Sequence, residues 1–263
     1  MTRFNVLGSL ELRAGARVWA PRGPKVRKVL ALLLLRPGQV VTIDTLSDEL
    51  WDERPPRTAV TTVRTHVYHL RQLLEQEGGG RAVADLLTTA PDGYLLRVDA
   101  DEVDAALFSR LVYQGRAQLG RGDIAEAAAS LRQALALWRG SPLADVRVGR
   151  VLSAHLGHLA EIRLRAQELR VEADMRLGQH RELIPELRGL VATNPLNEWL
   201  HGQLIDALSR SGRRGDALSA FRELRTLLAE ELGLEPSADL HRLQQEILTG
   251  AGGPRPSAYR ALS

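Results

Sequence analysis

Between Thr58 and Gln72 the chain places Thr58, Thr61, Arg64, Thr65, Tyr68, His69, Arg71 and Gln72 in one stretch that holds no acid before Glu75. Threonine offers a methyl and a hydroxyl, and arginine can bond bidentately to guanine, so these types suit a surface that reads base edges in a major groove. A solvated helical face usually carries Glu/Lys pairs instead. Other clusters support less chemistry. His155, His158 and Glu161 fall at i, i+3 and i+6 on one helix and have metal-ligand types. With no further convergent ligand they read as the polar rim of that helix, and neither a metal nor a cofactor is expected. The two lysines, Lys25 and Lys28, follow Pro24 and Arg27, so no Gly-Lys-Ser/Thr phosphate loop exists. HExxH, GxSxG and dinucleotide fingerprints are absent. The chain has no cysteine, hence no disulfide framework, thiolate zinc site or cysteine nucleophile. An enzyme is not the expectation.

The groove-reading residues need a rigid carrier. Val60, Val63, Val67, Leu70 and Leu74 follow the 3, 4, 3, 4 spacing of a buried stripe, which predicts a helix from Thr58 to Glu77 stopped by Gly78-Gly79-Gly80. With that stripe inward, Thr58, Thr61, Thr65, His69 and Gln72 lie opposite the core, with Arg64, Tyr68 and Arg71 on a flank. Upstream, Phe4 to Gly8, Leu10 to Leu12 and Arg17 to Trp19 read as a small antiparallel sheet. Lys25 to Leu35 reads as a buried helix ending before Pro37-Gly38. A shorter one, capped by Thr42 or Asp44, ends before Pro55-Pro56. Downstream, Leu86 to Thr89 and Tyr94 to Leu96 form a hairpin turned at Pro91-Asp92-Gly93. Sheet, three helices and hairpin is the order of a winged helix-turn-helix with an extra N-terminal sheet. Lys25, Arg27, Lys28, Arg54 and Arg57 are placed to hold phosphates and set register.

The distribution of charge agrees. The 263 residues carry a net +3 with an isoelectric point near 9.7. Up to Arg97 there are 14 basic residues against 10 acidic ones, +4, leaving 21 against 22, or −1, for the rest. The excess positive charge is N-terminal, where an anionic partner is to be sought. A mean hydropathy of −0.17 with 44% hydrophobic residues is that of a globular chain with room for two domains. The longest apolar run, Val29 to Leu35, is too short to span a bilayer, and the N-terminus lacks a signal-peptide core. A cytoplasmic, nucleoid-associated protein is expected.

Beyond Val98 strand signals give way to Ala, Leu, Arg and Glu at helical spacing. One long helix carries Leu152, Leu156, Leu159, Ile162, Ala166, Leu169, Ala173 and Leu177. Gly178 and Gly212 open two turns 34 residues apart, and Leu183, Leu187 and Leu190 recur as Ala217, Phe221 and Leu224 at the same interval. That is the tetratricopeptide period, whose stacked helix pairs usually bind protein. The set Ala127, Leu131, Ala134 has the same internal spacing but is out of phase by an insertion. The expected fold is an α+β winged helix-turn-helix over 1–98, an all-α tetratricopeptide-like domain over 99–249 and a disordered tail over 250–263.

These residues carry a resemblance that runs to about Thr249. The first part resembles an OmpR/PhoB-type DNA-binding domain through Leu46-Ser47-Asp48-Glu49-Leu50-Trp51, Pro55-Pro56, Val63 to Arg71 and Gly93-Tyr94. The second is similar to the bacterial transcriptional activator domain through Val103 to Phe108, Ala134 to Gly140, Pro142 to Asp145 and Glu230 to Pro236. Together they resemble the short Streptomyces antibiotic regulatory proteins. The resemblance implies a pathway-specific activator that binds double-stranded DNA at direct repeats beside a promoter, as a homodimer there, and recruits RNA polymerase. It puts base contacts on Thr61, Arg64, Thr65 and His69, with Tyr68 beside them, Arg71 on phosphate and Thr88 at the wing. Where many winged helices carry a minor-groove arginine at the wing tip, this chain has Ala90. Neither a phosphate-accepting receiver nor a fused ATPase is expected. A repressor or architectural DNA binder, and a repeat-based adaptor, are the alternative readings.

Overall fold

The computed structural model describes residues 2–52, 54–77 and 85–250. The triple glycine at 78–80 and the tail over 251–263 lie outside the described residues. Six strands and ten α-helices are present among them: β1 (Thr2–Asn5), β2 (Glu11–Ala14), β3 (Arg17–Trp19), α1 (Pro24–Leu34), β4 (Val40–Thr42), α2 (Ile43–Trp51), α3 (Ala59–Glu77), β5 (Leu87–Ala90), β6 (Gly93–Leu96), α4 (Asp104–Arg121), α5 (Ile124–Ala136), α6 (Arg150–Arg176), α7 (His180–Thr193), α8 (Glu198–Arg210), α9 (Arg214–Leu232) and α10 (Ala238–Thr249). The chain divides into two compact units, residues 1–117 with 129–167, and 118–128 with 168–263. The fold is a winged helix-turn-helix region followed by an all-α helical-repeat region.

In the first unit β1, β2 and β3 form an antiparallel meander that pairs Phe4 with Leu12. The strand read from Phe4 to Gly8 stops at Asn5, because the next backbone groups bond elsewhere. The Asp104 carboxylate accepts the N–H groups of Val6 and Leu7 at 2.7 and 3.0 Å. The carbonyls of Val6 and Leu7 accept from the backbone N–H of Leu143 and Arg139 at 3.0 and 2.7 Å. Burial raises the pKa of Asp104 against the lowering effect of these N–H donors and of Arg139. Asp145 accepts the Leu10 N–H and an ion pair from Arg27.

Helices α1, α2 and α3 pack on one another. Pro24 opens α1, and Val29 to Leu34 are buried without interruption, as their all-apolar sequence requires. Thr42, not Asp44, caps α2: its side chain accepts the Thr45 N–H at 3.1 Å. Val40 to Thr42 form a strand that the sequence reading did not assign, since three residues between Gly38 and a helix cap are too few to show alternation. The second sheet has the order β4-β6-β5, with Ala90 opposite Gly93, so the turn is Pro91-Asp92 and Gly93 belongs to β6. A Cβ at Gly93 would lie 2.0 Å from the Val41 carbonyl oxygen, and glycine is what lets β4 pair so closely.

In the second unit the chain reverses at Gly122, Gly178 and Gly212, all at positive φ (86, 81 and 78°). Each glycine N–H bonds a carbonyl three residues back, and the following N–H bonds one five residues back. The buried triplets Ala127/Leu131/Ala134, Leu183/Leu187/Leu190 and Ala217/Phe221/Leu224 all start five residues after such a glycine. Helices α7, α8 and α9 pack as successive pairs, and α10 closes on α8 and α9. Leu177, read as the end of the α6 stripe, is 41% exposed, because α6 ends at Arg176 and Leu177 sits in the turn. Arg170, buried in α6, bonds Asp174 at 2.6 Å and Glu186 of α7 at 2.5 Å, which fixes the first pair.

Candidate nucleic-acid interface

Helix α3 buries Ala59, Val63, Val67, Leu70 and Leu74. The stripe therefore begins at Ala59, one residue earlier than read from the sequence, and Val60 is 45% exposed. The 4, 4, 3, 4 spacing keeps the inward residues close to one line at about 100° per residue, and Val60 falls to its edge. The remaining faces of α3 present Thr61, Arg64, Thr65, Tyr68, His69 and Gln72, all exposed, with Arg57 exposed in the turn before it. The structure thus brings Arg57, Thr61, Arg64, Thr65, Tyr68 and His69 together. Among the described residues the side chains of Arg54, Arg57 and Arg64 make no hydrogen bond or ion pair.

Several of these groups are preorganised. The Thr62 and Thr65 hydroxyls donate to the Thr58 and Thr61 carbonyls at 2.9 and 3.0 Å. Gln72 Nε2 donates to Tyr68 Oη at 2.8 Å, which leaves the phenolic proton free to donate outward. Arg71 is half-buried. Its Nε and Nη2 donate to the Leu87 carbonyl at 3.0 and 2.9 Å, and Nη2 reaches Thr89 Oγ1 at 2.8 Å. Arg71 therefore ties α3 to the wing strand β5, with Nη1 left over. Thr88 is half-buried and its hydroxyl donates to the Leu95 carbonyl at 3.3 Å, while the exposed threonine of β5 is Thr89.

The cations of α1 are placed differently. Lys25 Nζ lies 4.5 Å from the centre of the Trp51 ring. Arg27 pairs with Asp145, and Lys28 donates to the Glu49 carbonyl at 2.9 Å with the Glu49 carboxylate 3.6 Å away. Arg27 and Lys28 are thus committed within the chain, and among the described residues Arg54 and Arg57 are the cations of that set without a partner.

The sequence reading put Val60 in the buried stripe and gave His66 and Thr89 no role. His66 is half-buried on α3 with neither ring nitrogen hydrogen-bonded, and burial, then the charges of Lys25 and His69, lower its pKa. For Thr89 a signal existed, since a period of two from Leu87 places it on the strand face that meets α3. His155, half of the histidine pair considered as ligands, accepts a hydrogen bond from Arg36 Nε on its Nε2 at 3.0 Å. No group of three metal-ligating side chains occurs among the described residues. Likewise, no helix among them is long and apolar enough to cross a membrane.

A helix whose exposed residues from Thr61 to Gln72 include no acid, set between a helical scaffold and a hairpin wing, defines a winged helix-turn-helix reader, here followed by helical repeats. Comparison with known proteins agrees. Residues 20–96 match the family described as transcriptional regulatory protein, C terminal, and residues 103–248 match the bacterial transcriptional activator domain. The regulatory protein DnrI of Streptomyces peucetius is 41% identical over 254 residues, covering 95% of this chain and 93% of that protein. The transcriptional regulator RedD of Streptomyces coelicolor is 35% identical over 245 residues, 93% of this chain and 70% of the other. Among solved structures, Mycobacterium tuberculosis EmbR in complex with a low-affinity phosphopeptide superposes with a TM-score of 0.87 at 32% identity, covering 95% of this chain and 65% of that one. The protein is a DNA-binding transcriptional regulator. It belongs to the Streptomyces antibiotic regulatory protein family.

Proposed function

We propose that this chain activates the genes of one secondary-metabolite pathway, binding direct repeats beside a promoter as a homodimer and recruiting RNA polymerase holoenzyme. The observation that carries the reading is the stretch from Arg57 to Gln72, where Arg57 and Arg64, unpaired among the described residues, join Thr61, Thr65, Tyr68 and His69 with no acid before Glu75. Base contacts are assigned to Thr61, Arg64, Thr65, Tyr68 and His69. Phosphate contacts fall to Arg57, Lys25 and the free Nη1 of Arg71, and Thr88 with its neighbour Thr89 lies at the wing. Promoter reading is assigned to 1–98 and partner contact to the repeats over 99–249, whose stacked helix pairs suit protein binding. Repeats one helical turn apart put two protomers on one face of the duplex. The chain works as a regulator and not as a catalyst, in the cytoplasm on the nucleoid.

The test is footprinting of the full chain on its candidate promoters, followed by transcription from a protected promoter with purified polymerase. Protection of two spaced repeats, weakened by salt, and more transcript are expected. Less transcript from a protected promoter makes the protein a repressor, and no protected sequence overturns the DNA reading.

A further inference from the structure

We propose that Val60 reads the 5-methyl group of a thymine in a base step whose guanine is held by Arg64, an inference that rests on the DNA-binding reading above. Val60 stands in the first turn of α3 and is 45% exposed, whereas Val63, Val67, Leu70 and Leu74 are at most 1% exposed. With Ala59 supplying the first buried position, the core makes no demand for a valine at 60. Arg64 lies four residues on, and side chains at i and i+4 are neighbours on a helix, about 5–6 Å apart at Cβ. That spacing lets the two side chains contact one base step together.

Valine neither donates nor accepts hydrogen bonds, so on a surface otherwise built of hydroxyls, rings and cations it can gain only from an apolar partner. Along the major-groove edge of unmodified DNA that partner is the thymine methyl group, since the other groups there are donors and acceptors. The back-bonded hydroxyl of Thr65 adds to this. Its proton is held by the Thr61 carbonyl at 3.0 Å, so what Thr65 offers outward is a methyl and acceptor lone pairs. The helix therefore presents apolar contact beside one bidentate cation, which is the chemistry of a mixed thymine and guanine step.

The test uses the full chain and the tightest duplex it selects from a random-sequence pool, titrated by fluorescence anisotropy at fixed salt. Each thymine of that duplex is replaced in turn by deoxyuridine, which removes the methyl alone. One thymine, next to a guanine at which Arg64→Ala relaxes the preference, is expected to lose about fourfold in affinity, the worth of one buried methyl. In Val60→Ala the thymine-to-uridine ratio at that position falls to about one, and in Val60→Thr, which keeps one methyl, it is intermediate. Both variants melt with the parent because the side chain is outside the core. A duplex indifferent to uridine at every thymine, or a sensitivity that persists in Val60→Ala, overturns the inference and leaves DNA binding standing. Selection of no duplex at all overturns both.

Discussion

Arg64 and Arg57 have the same side chain and, among the described residues, the same lack of a partner, yet their places in the chain suit them to different contacts in the proposed complex. Arg64 lies on the exposed side of α3 with Thr61 and Thr65, and the bidentate bond to guanine proposed for it would contribute about 1–3 kcal/mol of discrimination. Arg64→Ala should therefore flatten the preference at one base position, as a competition assay over single-base variants would show. Arg57 precedes the helix, where a phosphate is the nearer target. Arg57→Ala should weaken all sequences alike and reduce the slope of log K against log salt by about 1, read from titrations at several salt concentrations. Arg71 differs from both, because two of its nitrogens already bond β5. Arg71→Ala should loosen the wing, seen as faster amide exchange at Thr88 and Thr89, and should weaken binding without changing the preferred sequence.

Helix α2 holds α6 through the exposed Asp48–Arg150 pair and, more deeply, through the buried Glu49. Glu49, 1% exposed, accepts the N–H groups of Gly149 and Leu152 at 2.5 and 2.8 Å, and so satisfies the first turn of α6 with a carboxylate from a distant part of the chain. Lys28 stands beside it. Removing a buried, paired charge strands its partners, so Glu49→Ala should cost about 3 kcal/mol in urea unfolding. A loss below about 1 kcal/mol would show that water replaces the carboxylate. Asp104 does the same for Val6 and Leu7, so a fragment ending at residue 98 loses the partners of both the N-terminal segment and Glu49. It should melt well below the intact chain in a thermal scan.

Across the whole molecule four histidines contribute to the response to acid. Burial is the largest cause of a lowered pKa at His66, His155, His180 and His201. A histidine whose folded pKa lies below its ordinary value of 6.5 takes up its proton more readily when unfolded. Stability is thus fully present above about pH 6.5 and falls as the pH drops through the folded values. The melting temperature at pH 5.5 should lie below that at pH 7.5. Asp104, whose pKa is raised, acts in the opposite sense, and its protonation adds stability as the pH falls through its folded value. A melting temperature that is constant or rises between the two pH values would contradict the histidine account.

Local periodicity was enough to determine much of this protein. The valine and leucine spacing of α3, the glycines at 178 and 212 with their recurring triplets, and the acid-free run from Thr58 to Gln72 are properties of a few neighbouring residues, and each is legible from the sequence. The family motifs extended that reading to the wing and the activator domain. What the sequence could not decide was settled by groups far apart in the chain. Asp104 ends β1 at Asn5, β4 exists because β6 pairs with it, Arg71 turns toward the wing, and Arg27 and Lys28 are committed to Asp145 and Glu49. Val60 shows the reason most plainly. Its neighbours in sequence allowed it either side of the stripe, and only the packing of α3 on α1 and α2 chose Ala59 for the core and left the valine outside.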